Sequence, residues 1–130
     1  MSRVLLAEDD RHIALLVELA LEDPGTSVEV VTTGPAVVQR LATEPLPDVL
    51  LLDLMLPGMS GFEVLGRLRA SSRTERLPVL VLSAQARAED RAEVLRRGAN
   101  AFLAKPFDVD ELARIVGSLV RESASPGGAV

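Results

Sequence analysis

Four places in the sequence carry side chains able to do chemistry together. Glu8, Asp9 and Asp10 form the acidic cluster of "AEDD", and Asp53 stands alone in the apolar run "DVLLLDLMLPGMSG". Ser83 closes "VLVLS", and Lys105 precedes Pro106 in "AFLAKPF". A carboxylate is rarely buried unless it is paired, so Asp53, between Val49–Leu52 and Leu54–Leu56, needs a partner. Carboxylates gathered in one crevice repel each other; either some stay protonated or a cation sits among them. Oxygen ligands without His or Cys select Mg²⁺ or a similar hard ion such as Mn²⁺. The main-chain carbonyls of Leu54 and Met55, just past Asp53, are further candidate ligands. Lys105 is the only lysine among 14 basic residues and supplies a fixed positive charge opposite the acids. Ser83 adds a hydroxyl that can donate to or accept from a bound oxyanion. Such a set suits phosphoryl transfer, in which positioning and charge neutralisation carry most of the catalysis. An aspartate can serve there as the nucleophile and form an acyl phosphate.

These residues lie at the ends of short apolar runs, which explains how they could meet. "RVLLA", "SVEVV", "DVLLLD", "PVLVLS" and "AFLA" read as five strands, four of them apolar nearly throughout, the pattern of parallel strands covered on both faces. Val28 to Val31 alternates more and reads as an edge. Helical patterns separate them. Ile13, Leu16, Val17, Ala20 and Leu21 form one apolar stripe. Gly34-Pro35 opens a second helix. Ser60 and Glu63 form a capping box for a third. Glu89 to Arg97 is a fourth, stopped by Gly98, and Asp108 caps a fifth whose stripe is Leu112, Ile115, Val116, Leu119 and Val120. Five βα units require a doubly wound parallel sheet with helices on both faces. In such sheets ligands bind outside the carboxyl ends of the strands, which is where Glu8, Asp9, Asp53, Ser83 and Lys105 fall.

The whole chain sets further bounds. Its 130 residues, 48% hydrophobic and 25% charged, fit one globular domain. No cysteine is present, so no disulfide framework, thiolate metal site or cysteine nucleophile is available. The net charge of −5 argues against direct nucleic-acid binding. The opening "MSRVLLAEDD" lacks the form of a signal peptide and no apolar run reaches membrane-spanning length, so a cytoplasmic location and no membrane association are expected.

From Arg3 to about Arg121 the chain resembles the receiver domain of bacterial two-component response regulators, on the strength of "AEDD", "LLLDLMLPGMSGFEVL", "VLVLSA" and "AFLAKPF" in this order. The resemblance implies a flavodoxin-like (βα)5 fold, with a five-stranded sheet in the order 2-1-3-4-5. A receiver domain over residues 1–122 is expected, and 123–130, "SASPGGAV", small, polar and Gly/Pro-bearing, reads as a flexible tail or the start of a linker. Carried onto this sequence, it makes Asp53 the phosphoacceptor and assigns the Mg²⁺ to Glu8, Asp9, Asp53 and the carbonyl of Met55. Ser83 becomes the switch hydroxyl, Lys105 the partner of a phosphoryl oxygen, with a cis bond to Pro106, and Phe102 the switch aromatic. A sensor histidine kinase or phosphotransfer protein would supply the phosphoryl group. The α4-β5-α5 face would then act on a downstream protein or a covalently linked effector domain, with a phosphorylation-dependent homodimer compatible. Receivers of winged-helix regulators commonly carry two acids before the switch aromatic; Asn100 and Ala101 stand there instead, which puts that subfamily's salt-bridged dimer in doubt. Met55 and Gln85 would flank the phosphoryl group and tune its lifetime.

Plainer readings compete at several positions. Asp10 reads as a helix N-cap, His12 as a solvated side chain and Phe102 equally as core. Arg67, Arg69, Arg73 and Arg76, like the arginines of helix four, read as surface charges paired with nearby acids. A degenerate receiver that only binds partners is the main alternative function. A haloacid-dehalogenase-type phosphatase needs a second acid where Met55 stands, and a flavin-binding flavodoxin needs a phosphate loop that "AEDDRH" does not provide.

Overall fold

A computed structural model of the chain describes residues 2–85 and 87–124. The elements run β1 (Ser2–Ala7), α1 (Arg11–Ala20), β2 (Thr26–Val31), α2 (Gly34–Leu41), β3 (Val49–Asp53), α3 (Gly61–Ala70), β4 (Val79–Ser83), α4 (Ala88–Arg96), β5 (Ala101–Ala104) and α5 (Val109–Ala124). The strands form one parallel sheet in the order β2-β1-β3-β4-β5. This is the doubly wound flavodoxin-like (βα)5 architecture expected from the sequence.

The apolar strands are apolar because both their faces are covered. Every residue of β3 and β4 is buried, and each fully buried leucine contributes about 2 kcal/mol of gross hydrophobic stabilisation. The pleat divides the strands between two cores. Leu5, Ala7, Leu50, Leu52, Val79, Val81 and Phe102 face the side of α2, α3 and α4. Val4, Leu6, Val49, Leu51, Leu80, Leu82 and Leu103 face α1 and α5. β2 alternates half-buried and exposed positions, as an edge strand should.

Several local expectations need correction. On α1 the buried stripe is Ala14, Val17 and Leu21, with Ile13 half-buried; Leu16 is 41% exposed and faces solvent. Ser60 caps α3 by accepting the Glu63 N–H at 3.2 Å, but the Glu63 carboxylate pairs with Arg67 at 3.3 Å instead of completing a capping box. α5 extends to Ala124, so residues 123 and 124 of the expected tail belong to the helix, and the rest of that tail lies outside the described residues. Asp10, Thr33 and Asp108 cap α1, α2 and α5 through their side chains. Gly98 ends α4 at φ +109°, a conformation that favours glycine.

The largest departure is Arg69, expected on the surface. Its five N–H donors meet five oxygens: Gly98 O, Thr74 O, Glu75 O, Leu77 O and Asn100 Oδ1, at 2.8–3.1 Å. It ties the end of α3 to the turns that enter β4 and β5. Asn100 adds a bond from Val79 N–H at 2.8 Å. Arg73 likewise bonds Leu41 O at 2.9 Å as well as pairing with Glu44. Among the described residues, no helix is long and apolar enough to cross a membrane.

Candidate functional site

The carboxyl edge of the sheet brings Glu8, Asp9, Asp53 and Lys105 together. Glu8 follows β1 directly, its N–H bonded to Val31 O of the neighbouring strand at 3.0 Å. Asp53 is the last residue of β3 and pairs in register with Leu82. Lys105 follows β5 with its N–H on Ser83 O at 2.8 Å, and its bond to Pro106 is cis. Continuing the strand alternation places Glu8, Asp53 and Lys105 on the α1/α5 side of the sheet, so their side chains converge.

Lys105 Nζ donates to Glu8 Oε1 at 2.7 Å and to Asp53 Oδ2 at 3.1 Å. Both carboxylates are buried, Glu8 1% and Asp53 4% exposed. Each also accepts one main-chain N–H: Asp10 N–H to Glu8 Oε2 at 3.1 Å and Met55 N–H to Asp53 Oδ1 at 3.0 Å. Asp9 is exposed, yet carboxylate oxygens of Glu8, Asp9 and Asp53 lie within 4.8 Å of one another. Burial pushes the Glu8 carboxyl above its usual range; the bonds from Lys105 and Asp10 N–H oppose this, and the Asp53 charge adds to it. Burial works to lower the Lys105 pKa, but the bonds to Glu8 and Asp53 and their charges overcome it and raise it. Asp10 is held below the usual carboxylate range by the N–H groups of Ile13 and His12, as an N-cap should be.

Three carboxylates against one ammonium leave the cluster with excess negative charge. The donor set is all hard oxygen, two of its members are buried, and one faces solvent where a partly hydrated ion would enter. That combination fits a divalent cation such as Mg²⁺.

The remaining sequence candidates occupy other positions. Ser83 is fully buried, and its hydroxyl accepts Gln85 N–H at 3.0 Å and donates to Gln85 O at 3.2 Å. Phe102 is 5% exposed and packs on the α4 side, with the Arg91 guanidinium over its ring at 5.1 Å. Met55 holds its N–H on Asp53 and exposes its side chain, 64% accessible. His12 is solvated, its side chain 97% exposed. The sequence reading gave α2 its start at Gly34-Pro35 but no part in the site, whereas its N-terminus abuts the loop after Asp53. The signal was the pair of small residues, Gly34 and Gly58, on facing segments.

Comparison with known proteins places this geometry in a family. The response regulator receiver domain matches residues 4–117. The chain is 41% identical over 123 residues to the DNA-binding dual master transcriptional regulator RpaA of Synechocystis, covering 95% of this chain and 51% of RpaA. It thus spans about half the length of that relative. An uncharacterized 14.6 kDa protein of Leptolyngbya boryana is 41% identical over 113 residues, covering 87% of this chain and 86% of the other. Among solved structures, the receiver domain of the sensor histidine kinase PA1611 of Pseudomonas aeruginosa, with magnesium in its active-site cleft, superposes with a TM-score of 0.82. It is 32% identical and covers 92% of this chain and 98% of that one. The phosphatase and flavodoxin readings give way to this match. The chain belongs to the response regulator receiver domains, which are signalling switches of two-component systems rather than classical enzymes.

Proposed function

We propose that Asp53 accepts a phosphoryl group from a sensor histidine kinase or phosphotransfer protein, with Mg²⁺ held by Glu8, Asp9, Asp53 and the carbonyl of Met55. The observation that carries this is the Lys105 ammonium bridging two buried carboxylates beside the solvent-facing Asp9. A bound Mg²⁺ supplies charge neutralisation for the incoming phosphoryl oxygens. Asp53 forms the new P–O bond as the P–N bond to the donor imidazole breaks. Lys105, already bonded to Asp53, is placed to follow a phosphoryl oxygen. Ser83 must give up its bonds to Gln85 to reach the phosphoryl group, and Phe102 and α4 share the face of the sheet on which Ser83 lies. Modification at the α1/α5 side is thereby passed to the α4-β5-α5 face.

The same chemistry covers self-phosphorylation from small phosphodonors and hydrolysis of the acyl phosphate. It places the domain in the cytoplasm, where a histidine kinase uses ATP. The half-length match to RpaA favours a covalently linked effector, and the 14.6 kDa relative favours a receiver that acts on a separate protein. Intact mass after incubation with acetyl phosphate and Mg²⁺ tests the acceptor. One labile phosphoryl adduct is expected in wild type, none in Asp53→Asn and none with EDTA. A folded wild type that takes no adduct would overturn the reading in favour of a degenerate interaction module.

A further inference from the structure

The segment Leu54–Ser60 carries the proposed Met55 ligand, and two glycines, Gly61 and Gly34, set its position. At its end, Gly61 N–H bonds Leu54 O at 3.0 Å, and a Cβ on Gly61 would sit 2.7 Å from Leu54 Cα and 2.9 Å from Asp53 O. At its apex, Gly34 at the start of α2 donates its N–H to Pro57 O at 3.0 Å. A Cβ on Gly34 would overlap the Met59 carbonyl oxygen and come within 2.5 Å of Met59 Cβ. Gly58, at φ +83°, turns the chain there and lies against the Pro35 ring. Both contacts of Gly34 are with main chain or the root of a side chain, so no rotamer change relieves them. Backbone must move by roughly 1 Å to restore ordinary van der Waals separation.

We propose that Gly34 is a positioning residue for the metal site: the missing side chain lets α2 buttress the loop, which fixes Met55 against Asp53. α2 follows an edge strand and contributes no ligand, so its influence is mechanical. Loss of a group that orients a metal ligand typically costs roughly 10–100-fold in metal affinity. The proposal rests on the Mg²⁺ reading above and names the element that makes it work.

The test uses Gly34→Ala beside Val37→Ala, which removes buried volume from the same helix and leaves Gly34 as it is. Mg²⁺ is titrated into each protein while the amide signals of Leu54 to Met59 are followed by NMR, and Tm is recorded. Gly34→Ala is expected to shift those amides before any metal is added and to raise the half-saturating Mg²⁺ concentration about 10-fold or more. Val37→Ala is expected to lower Tm with its Mg²⁺ affinity unchanged. Unchanged Mg²⁺ affinity in Gly34→Ala, an equal loss in Val37→Ala at matched Tm, or a wild type that binds no Mg²⁺ would each overturn the proposal. A wild type that binds Mg²⁺ but takes no phosphoryl group from acetyl phosphate would remove the Asp53 reading alone, and the titrations would still judge Gly34.

Discussion

Replacing Lys105 by methionine removes the ammonium and keeps most of the chain length. Glu8 and Asp53 then remain buried, each with a single main-chain N–H bond. Breaking a buried ion pair from one side costs about 3–5 kcal/mol, because the stranded charge has lost its water and its partner. The lower end applies here, since the Glu8 carboxyl is already raised by burial and can relieve the strain by taking a proton. A loss of about 3 kcal/mol is expected in EDTA at pH 7. For 130 residues the unfolding entropy is about 0.27 kcal/mol/K, so Tm should fall by about 11 °C. Two controls identify the cause. Adding Glu8→Gln should recover much of the loss, because of the buried pair only Asp53 then remains charged. Mg²⁺ should narrow the gap to wild type, since the variant's more negative cluster binds the ion more tightly and is stabilised by it more. Thermal unfolding by circular dichroism, with and without Mg²⁺, reads all three. A Tm drop under about 2 °C in EDTA, equivalent to roughly 0.5 kcal/mol, or a gap unaffected by Mg²⁺, would refute the reasoning.

Two further outcomes follow from the same physical picture. The chain has no tyrosine or cysteine, so above about pH 9 Lys105 is the only side chain other than arginine left to titrate. Its folded pKa is raised, so its stabilisation is complete below the unfolded value of about 10.4 and is lost as pH rises through the higher folded value. Tm should fall over that alkaline range in wild type and stay flat in Lys105→Met. Arg69→Lys should cost about 2–3 kcal/mol, because an ammonium has three donors where the guanidinium fills five. Hydrogen exchange at Ala99 and Asn100 should quicken while Mg²⁺ affinity is unchanged; wild-type stability in that variant would dismiss the staple.

The sheet and the candidate site were legible in the sequence for one reason: in parallel strands covered on both faces, a lone polar residue at the end of an apolar run can only belong to the carboxyl edge. Asp53 and Ser83 carry that signal plainly, and Lys105 stands out as the only lysine. What the sequence left hidden depends on distance in space. Arg69 looks like any helical arginine until the chain folds the turns at Thr74–Leu77 and Gly98–Asn100 around it. Leu16 fits an ideal helical stripe, yet α1 is rotated so that Ala14 lies against the sheet instead. Gly34 marks a helix start in the sequence, but its part beside the site is defined by the loop residues Pro57 and Met59.

The pleat that splits the core in two also splits the proposed roles. Glu8, Asp53 and Lys105 share one parity, while Ser83 and Phe102 share the other, with the sheet standing between them as a partition. The charged chemistry thereby lies across the sheet from α4 and shares its own side with α5. Substitutions around Phe102 and Arg91 change the α4 part of the proposed output face without touching Glu8, Asp53 or Lys105. Ser83 would be the crossing point in this reading, a buried hydroxyl at the carboxyl edge of the sheet. Such a layout makes the receiver a two-sided part: the proposed reaction on one side of the sheet, and on the other an α4 surface that can change without it.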